Sequence, residues 1–182
     1  MNDQSPAPEV VFDTKWFQIV ARRVAGDPHP HYVINCTDFV AVVAVTTQGE
    51  LLLVRQFRAA RGSTSLEVPS GHVEIGETPE EAARKELLEE TGYVADKFEL
   101  LRTLAPCIGR FSNQMWCYLA LDARPTTDPD YRFEAGVEPV KDPGSLRTLL
   151  AEPEFCSSLS HTALLAALAQ GRIGFDGPQK PG

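Results

Sequence analysis

The 182-residue chain is short of several things, and each shortage removes a class of function. No apolar stretch approaches the roughly 20 residues that a membrane-spanning helix needs, so a bilayer-embedded protein is not expected. Basic residues are outnumbered, 17 Lys and Arg against 25 Asp and Glu, for a net charge of −8. With no long Lys/Arg cluster, non-specific nucleic-acid binding is a poor fit, because it depends on neutralising phosphates. The four cysteines, Cys36, Cys107, Cys117 and Cys156, form no CxxC pair and no zinc-type spacing with His. Buried free thiols in a reducing compartment are the expectation. The first residues, MNDQSPAPEV, lack the basic stretch and apolar run of a secretory signal, and a cytoplasmic location is expected. Internal repeats are missing too.

What is present is ordinary globular composition, 43% hydrophobic and 23% charged, enough for one domain with a sizeable core. Val10–Phe12, Trp16–Val24 and Tyr32–Ile34 read as a small antiparallel sheet broken by Gly26-Asp27-Pro28. Phe39–Val45 (FVAVVAV) is continuously apolar, the pattern of a strand covered on both faces. Gln48-Gly49 turns it into a hairpin with Leu51–Phe57. A loop over Pro69–Gly76 and a helix follow, then strand-like stretches at Lys97–Leu104, Met115–Leu121 and Phe133–Val140. Helical patterns over Ser145–Leu150 and Ser160–Gln170 come last, before a Gly/Pro-rich tail, FDGPQKPG, that is expected to fray. Strands on both sides of one internal helix predict an α/β (α+β) sandwich.

The internal helix is the informative segment. Thr78-Pro79-Glu80-Glu81 supplies a cap, a proline at the first helical position and the glutamate of a capping box, and Gly92 sits where a left-handed stop belongs. Between them, Glu86, Glu89 and Glu90 share one face at i, i+3 and i+4 spacing. Three carboxylates so close are either a solvated acidic face or a cage for a hard cation such as Mg²⁺ or Mn²⁺.

Over 23 residues the segment GHVEIGETPEEAARKELLEETGY resembles the Nudix box, Gly-x5-Glu-x7-Arg-Glu-U-x-Glu-Glu-x-Gly-U, where U is a bulky apolar residue. Gly71, Glu77, Glu86, Leu87, Glu89, Glu90 and Gly92 fall in register; Lys85 replaces the arginine and Tyr93 takes the last U position. The resemblance implies a Nudix fold, a mixed sheet between helices, over residues 37–175. Residues 1–36 look like the N-terminal sheet by which the ADP-ribose pyrophosphatase branch forms homodimers, and 176–182 is left as a flexible tail. It also implies a divalent-metal-dependent hydrolase of ADP-ribose or a related nucleoside diphosphate sugar. Glu86, Glu90, Glu89 and the carbonyl of Ser70 would be the metal ligands. Gly71 would allow close backbone approach, and Glu77 would orient the loop and pair with a base such as Lys85. Lysine lacks arginine's planar fork, so lowered activity is expected.

The branch's general base is a glutamate on a loop downstream of the box. Glu138 and Glu134 are the candidates, with Glu138 preferred, Gly136 as a hinge, and Glu89 the alternative if a box carboxylate is the base. Arg55 and Arg58, around Gln56 and Phe57, either reach a phosphate or pair with an acid such as Glu67. Arg110 and Phe111 lie in the stretch where the branch carries its ribose-side loop, although Pro106-Cys107-Ile108-Gly109 departs from the usual Pro-Gly pair. Trp16 and Phe17 either stack on a base across a dimer interface or pack in the core. Two further readings stay open: a weak or silent module that binds a nucleotide sugar as a sensor or regulator, and prenyl diphosphate isomerisation, which a missing Cys-plus-Glu pair disfavours.

Overall fold

A computed structural model of the chain describes residues 7–142 and 144–176. The first elements are β1 (Glu9–Asp13), β2 (Phe17–Arg22) and β3 (His31–Cys36), an antiparallel sheet in the order β1-β2-β3. This sheet buries little: β1 is exposed throughout, and Val20 is the one fully buried hydrophobic of β2 and β3.

β4 (Phe39–Thr46), β5 (Leu51–Arg58), β6 (Ser63–Glu67) and β7 (Ser70–His72) lead into helix α1 (Pro79–Thr91). Then come β8 (Tyr93–Val94), β9 (Lys97–Leu104), β10 (Met115–Pro125), β11 (Val137–Asp142), α2 (Leu146–Ala151) and α3 (Ser158–Ala169). The mixed central sheet runs β11-β5-β4-β10-β8, with β6 on β5, β7 on β4 and β9 on β10; β4 and β10 are parallel.

β4 explains the continuous apolar run. Val40, Val42 and Ala44 face α1, packing with Ala82, Ala83 and Leu87. Ala41, Val43 and Val45 face the opposite layer, with Leu146, Leu149, Phe155 and Leu164. A strand buried on both faces has no polar side to show, so alternation disappears. The expected α+β sandwich and small N-terminal sheet are both found.

Several boundaries differ from expectation. The run from Phe133 becomes strand only at Val137, because Gly136 takes a left-handed φ of 87° in the turn before it. Part of the Pro69–Gly76 loop is strand β7, and β8 was not foreseen at all; both are too short to show a period. On α1 Leu87 is fully buried, while its neighbour Leu88 is only half-buried. Trp16 is 70% exposed and outside the core, held in a turn where its backbone N–H donates to the Thr14 hydroxyl. All four cysteines are free, but only Cys117 is fully buried, and burial pushes its thiol up to about 11. The expected fraying of the tail falls, beyond Asp176, outside the described residues. Among the described residues no helix is long and apolar enough to cross a membrane.

Candidate active site

The site is built where β7 meets α1. Pairing with β4 sets Gly71 opposite Val40 and Ser70 opposite Ala41, so Gly71 lies on the sheet face that α1 covers. The helix is fixed at its start by a complete capping box: Glu81 N–H donates to the Thr78 hydroxyl, and Thr78 N–H donates to the Glu81 carboxylate at 2.8 Å. At its end Gly92, with φ 73°, returns its N–H to the Leu88 carbonyl. Held this way, α1 lays the Glu86 carboxylate directly over Gly71. A Cβ on that glycine would sit 1.9 Å from Glu86 Oε1 and 2.1 Å from its Cδ, so any other residue would push the carboxylate out of its place. One turn further on, Glu90 is 3% exposed, and its Oε2 accepts the Ser70 N–H at 2.8 Å. Glu134, on the loop before β11, completes a group of three whose carboxylate oxygens lie within 4.8 Å of one another.

Packing these acids together perturbs them. Burial, then repulsion from Glu89 and Glu134, pushes Glu86 up to about 7. Burial pushes Glu90 up to about 8; the Ser70 N–H bond opposes this, repulsion from Glu86 and Glu134 adds to it, and Arg58 draws it back a little. Among the described residues no basic side chain forms an ion pair with Glu86, Glu90 or Glu134. Buried carboxylates left without a counter-charge are costly. An all-oxygen donor set of this kind fits a hard divalent cation.

Strand parity sorts the remaining candidates. Val54, Gln56 and Arg58 of β5 face α1 together with their β6 neighbours Ser65 and Glu67; Arg55 faces the other layer. Arg58 grips Glu67 through two bonds of 2.8 Å, and Ser65 also donates to that carboxylate. Burial opposes ionisation of Glu67, but these bonds overcome it and hold the group below the usual carboxylate range. Arg58 is thus an acid-paired residue whose charge is also felt by Glu90 and Glu134. Glu138 stands opposite Arg55 on β11 and pairs with it at 3.4 Å, while Arg55 also reaches Glu154 at 3.2 Å. That places Glu138 on the sheet face away from α1, whereas Glu134 joins the carboxylates. Arg110 and Phe111 dock on the N-terminal sheet instead: Ile34 N–H donates to the Arg110 carbonyl, and Phe111 bridges Ile34. Arg110 lines an open cleft of about 520 Å³ there, with Tyr32 and His31.

Residues 37–154, including this carboxylate cluster and its glycine cradle, match the family model of the NUDIX domain. The chain belongs to the Nudix family. It is 36% identical over 100 residues to an ADP-ribose pyrophosphatase of Bacillus subtilis (strain 168), a match covering 53% of this chain and 54% of that one. It is 53% identical over 49 residues to an ADP-sugar pyrophosphatase of Mus musculus, covering 27% and 22%. The chain spans about half the length, or less, of these curated relatives. A crystal structure of an ADP compounds hydrolase superposes with a TM-score of 0.72 at 23% identity, covering 93% of this chain and 96% of that one, which is a likeness of fold.

Within this Nudix box one expected pairing is corrected. Lys85 pairs with Glu74 at 2.7 Å rather than with Glu77. Glu77 instead accepts the Glu74 N–H at 3.1 Å, so it does brace the loop, and only its charge reaches Lys85. Arg84, one residue earlier, turns away to Glu80 and the carbonyls of Ala95 and Asp96 and cannot serve the box. Glu89 is exposed and outside the group of three, but its backbone carbonyl accepts bonds from Glu134 N–H and the Tyr131 hydroxyl. Tyr131 was not foreseen; only its place, three residues before Glu134, could have suggested it. Gln56, on the α1 side of β5, keeps a buried Nε2 without a partner among the described residues.

Proposed function

We propose that this Nudix chain is a divalent-metal-dependent pyrophosphohydrolase that cleaves ADP-ribose or a related nucleoside diphosphate sugar into a nucleoside monophosphate and a sugar phosphate. The observation that carries this reading is the set of crowded, uncompensated carboxylates of Glu86, Glu90 and Glu134 over the Gly71 cradle. The names of the relatives supply the substrate class. Glu86, Glu90 and the Ser70 carbonyl would hold the cation, with Glu89 acting from the rim through water. A Mg²⁺ held there, with Mn²⁺ as substitute, would neutralise charge on the pyrophosphate.

Glu134 is the general base of this reading. Water attacks one phosphorus, Glu134 takes its proton, and the bond from that phosphorus to the bridging oxygen breaks, leaving that oxygen on the departing phosphate. Arg58, fastened by Glu67, keeps positive potential beside the acids. The cleft at Arg110 and Tyr32 receives the nucleoside end. Residues 37–175 form the hydrolase domain. The uncovered N-terminal sheet, which exposes Val10, Phe12 and Trp16, pairs with a second copy of the chain, most simply in the cytoplasm.

The test is hydrolysis of ADP-ribose with Mg²⁺, following the two phosphorylated products. Glu134→Gln is expected to lower kcat by about 10² to 10⁴ with little change in KM, and Glu138→Gln to change it far less. Tight binding of ADP-ribose with no product at any metal concentration would replace this reading with that of a silent sensor.

A further inference from the structure

The loop that carries Glu134 is tied to α1 at three points, all on the helix's free carbonyl end. The last carbonyls of a helix have no partner within it. Here the Glu89 carbonyl accepts both the Glu134 N–H at 3.0 Å and the Tyr131 hydroxyl at 3.2 Å. The Gly92 carbonyl accepts the Thr126 N–H at 2.8 Å. Tyr131 and Phe133 pack edge to face, their centroids 5.1 Å apart and their planes at 76°. This aromatic pair sits against Gly92: a Cβ there would lie 3.1 Å from Tyr131 Cε1 and 3.3 Å from Phe133 Cε1. The box glycine therefore does two things. Its left-handed backbone stops the helix, and its bare α-carbon is the seat for the aromatic pair.

We propose that Tyr131, braced by Phe133 on Gly92, is a positioning residue that latches the 126–136 loop to the end of α1 and so holds the Glu134 carboxylate beside Glu86 and Glu90. The consequence is rigidity where it counts. Glu86 and Glu90 ride on the same helix whose last carbonyls hold the Glu134 backbone, so the three carboxylates keep their spacing as one unit. Without the latch, the loop retains its backbone attachments at Thr126, at the Glu134 N–H and at β11, but loses the side-chain tie and ring packing that back the Glu134 bond.

The inference rests on Glu134 being the base, and the experiment separates the two. Amide hydrogen exchange on the metal-free protein reads the latch without any turnover: Tyr131→Ala is expected to raise exchange across 126–136 and leave β4 and β10 protected. With Mg²⁺ and ADP-ribose, Tyr131→Ala is expected to lower kcat about tenfold at unchanged KM. Tyr131→Phe, which keeps the ring pair, is expected to recover most of that loss. In a Glu134→Gln background, Tyr131→Ala is expected to cost less than about twofold further, since the group it positions is already disabled. Unchanged exchange across 126–136, or the same kcat loss in both backgrounds, overturns the latch. Glu134→Gln retaining full kcat, or a wild-type chain inert on ADP-ribose, overturns the proposed function instead, and the exchange result still decides the latch.

Discussion

Replacing Gly71 by alanine separates the site from the fold more cleanly than any other single change. Gly71 has no left-handed φ, so its strand backbone suits alanine without strain, and shrinking the unfolded ensemble favours the variant by about 0.4–1 kcal/mol. The new methyl, however, starts 1.9 Å from Glu86 Oε1, about 1.5 Å short of ordinary contact. The clash is with the end of a flexible side chain, so the strand stays and the carboxylate swings away. That also draws Glu86 off Glu90 and relieves their repulsion. The metal-free variant is therefore expected to melt at or slightly above the wild-type temperature. Function should move the other way. A ligand displaced by an ångström or more misses the roughly 2.1 Å that Mg²⁺ demands, and misplacements of this size cost about 10² in rate. Calorimetric titration with Mn²⁺ should show affinity down by about 10- to 100-fold, alongside a similar fall in kcat/KM. An alanine variant that binds Mn²⁺ and turns over within threefold of wild type would refute the cradle.

Raised carboxylates make metal affinity depend on pH. Glu86 and Glu90 titrate near about 7 and about 8 when folded, against an ordinary value of 4.5. The native state thus holds protons that the unfolded chain has released, so metal-free stability falls as pH rises from about 4.5 to about 8 and levels off above. A divalent cation needs the deprotonated forms, so the rise in melting temperature on adding Mg²⁺ should be larger at pH 8 than at pH 6; equal shifts would contradict it. Glu67→Gln is expected to lower stability by about 1–2 kcal/mol in urea titration, because it breaks a bidentate grip on a half-exposed guanidinium. Arg124→Ala, which removes the partner of the exposed Asp96, should leave the urea midpoint unmoved, a contrast that would fail if pairs with a buried and an exposed carboxylate mattered equally.

How far the sequence could be read depended on whether a feature is local. The box helix was legible because Thr78, Pro79, Glu81 and Gly92 each act within one turn. The same holds for β4, whose unbroken apolar run could come only from cover on both faces. The sequence reading preferred Glu138 to Glu134, yet it is Glu134 that stands with Glu86 and Glu90, because their placement rests on strand register. Glu138 falls opposite Arg55, and that one position sends it to the far face of the sheet. Lys85 could not be assigned to Glu74 over Glu77, since the loop between them folds back by tertiary contact. The free carbonyl end of α1 was predictable in kind, but nothing in the spacing said that Tyr131 would find it.

β7 has a consequence for ligand traffic. Ser70 and Gly71 are stitched into the middle of the molecule, so that wall cannot swing outward unless the whole scaffold comes apart. The facing wall, the 126–136 loop, hangs from a helix tip by a handful of bonds. In the proposed hydrolase, any opening would therefore fall to the loop side, the part that carries Glu134.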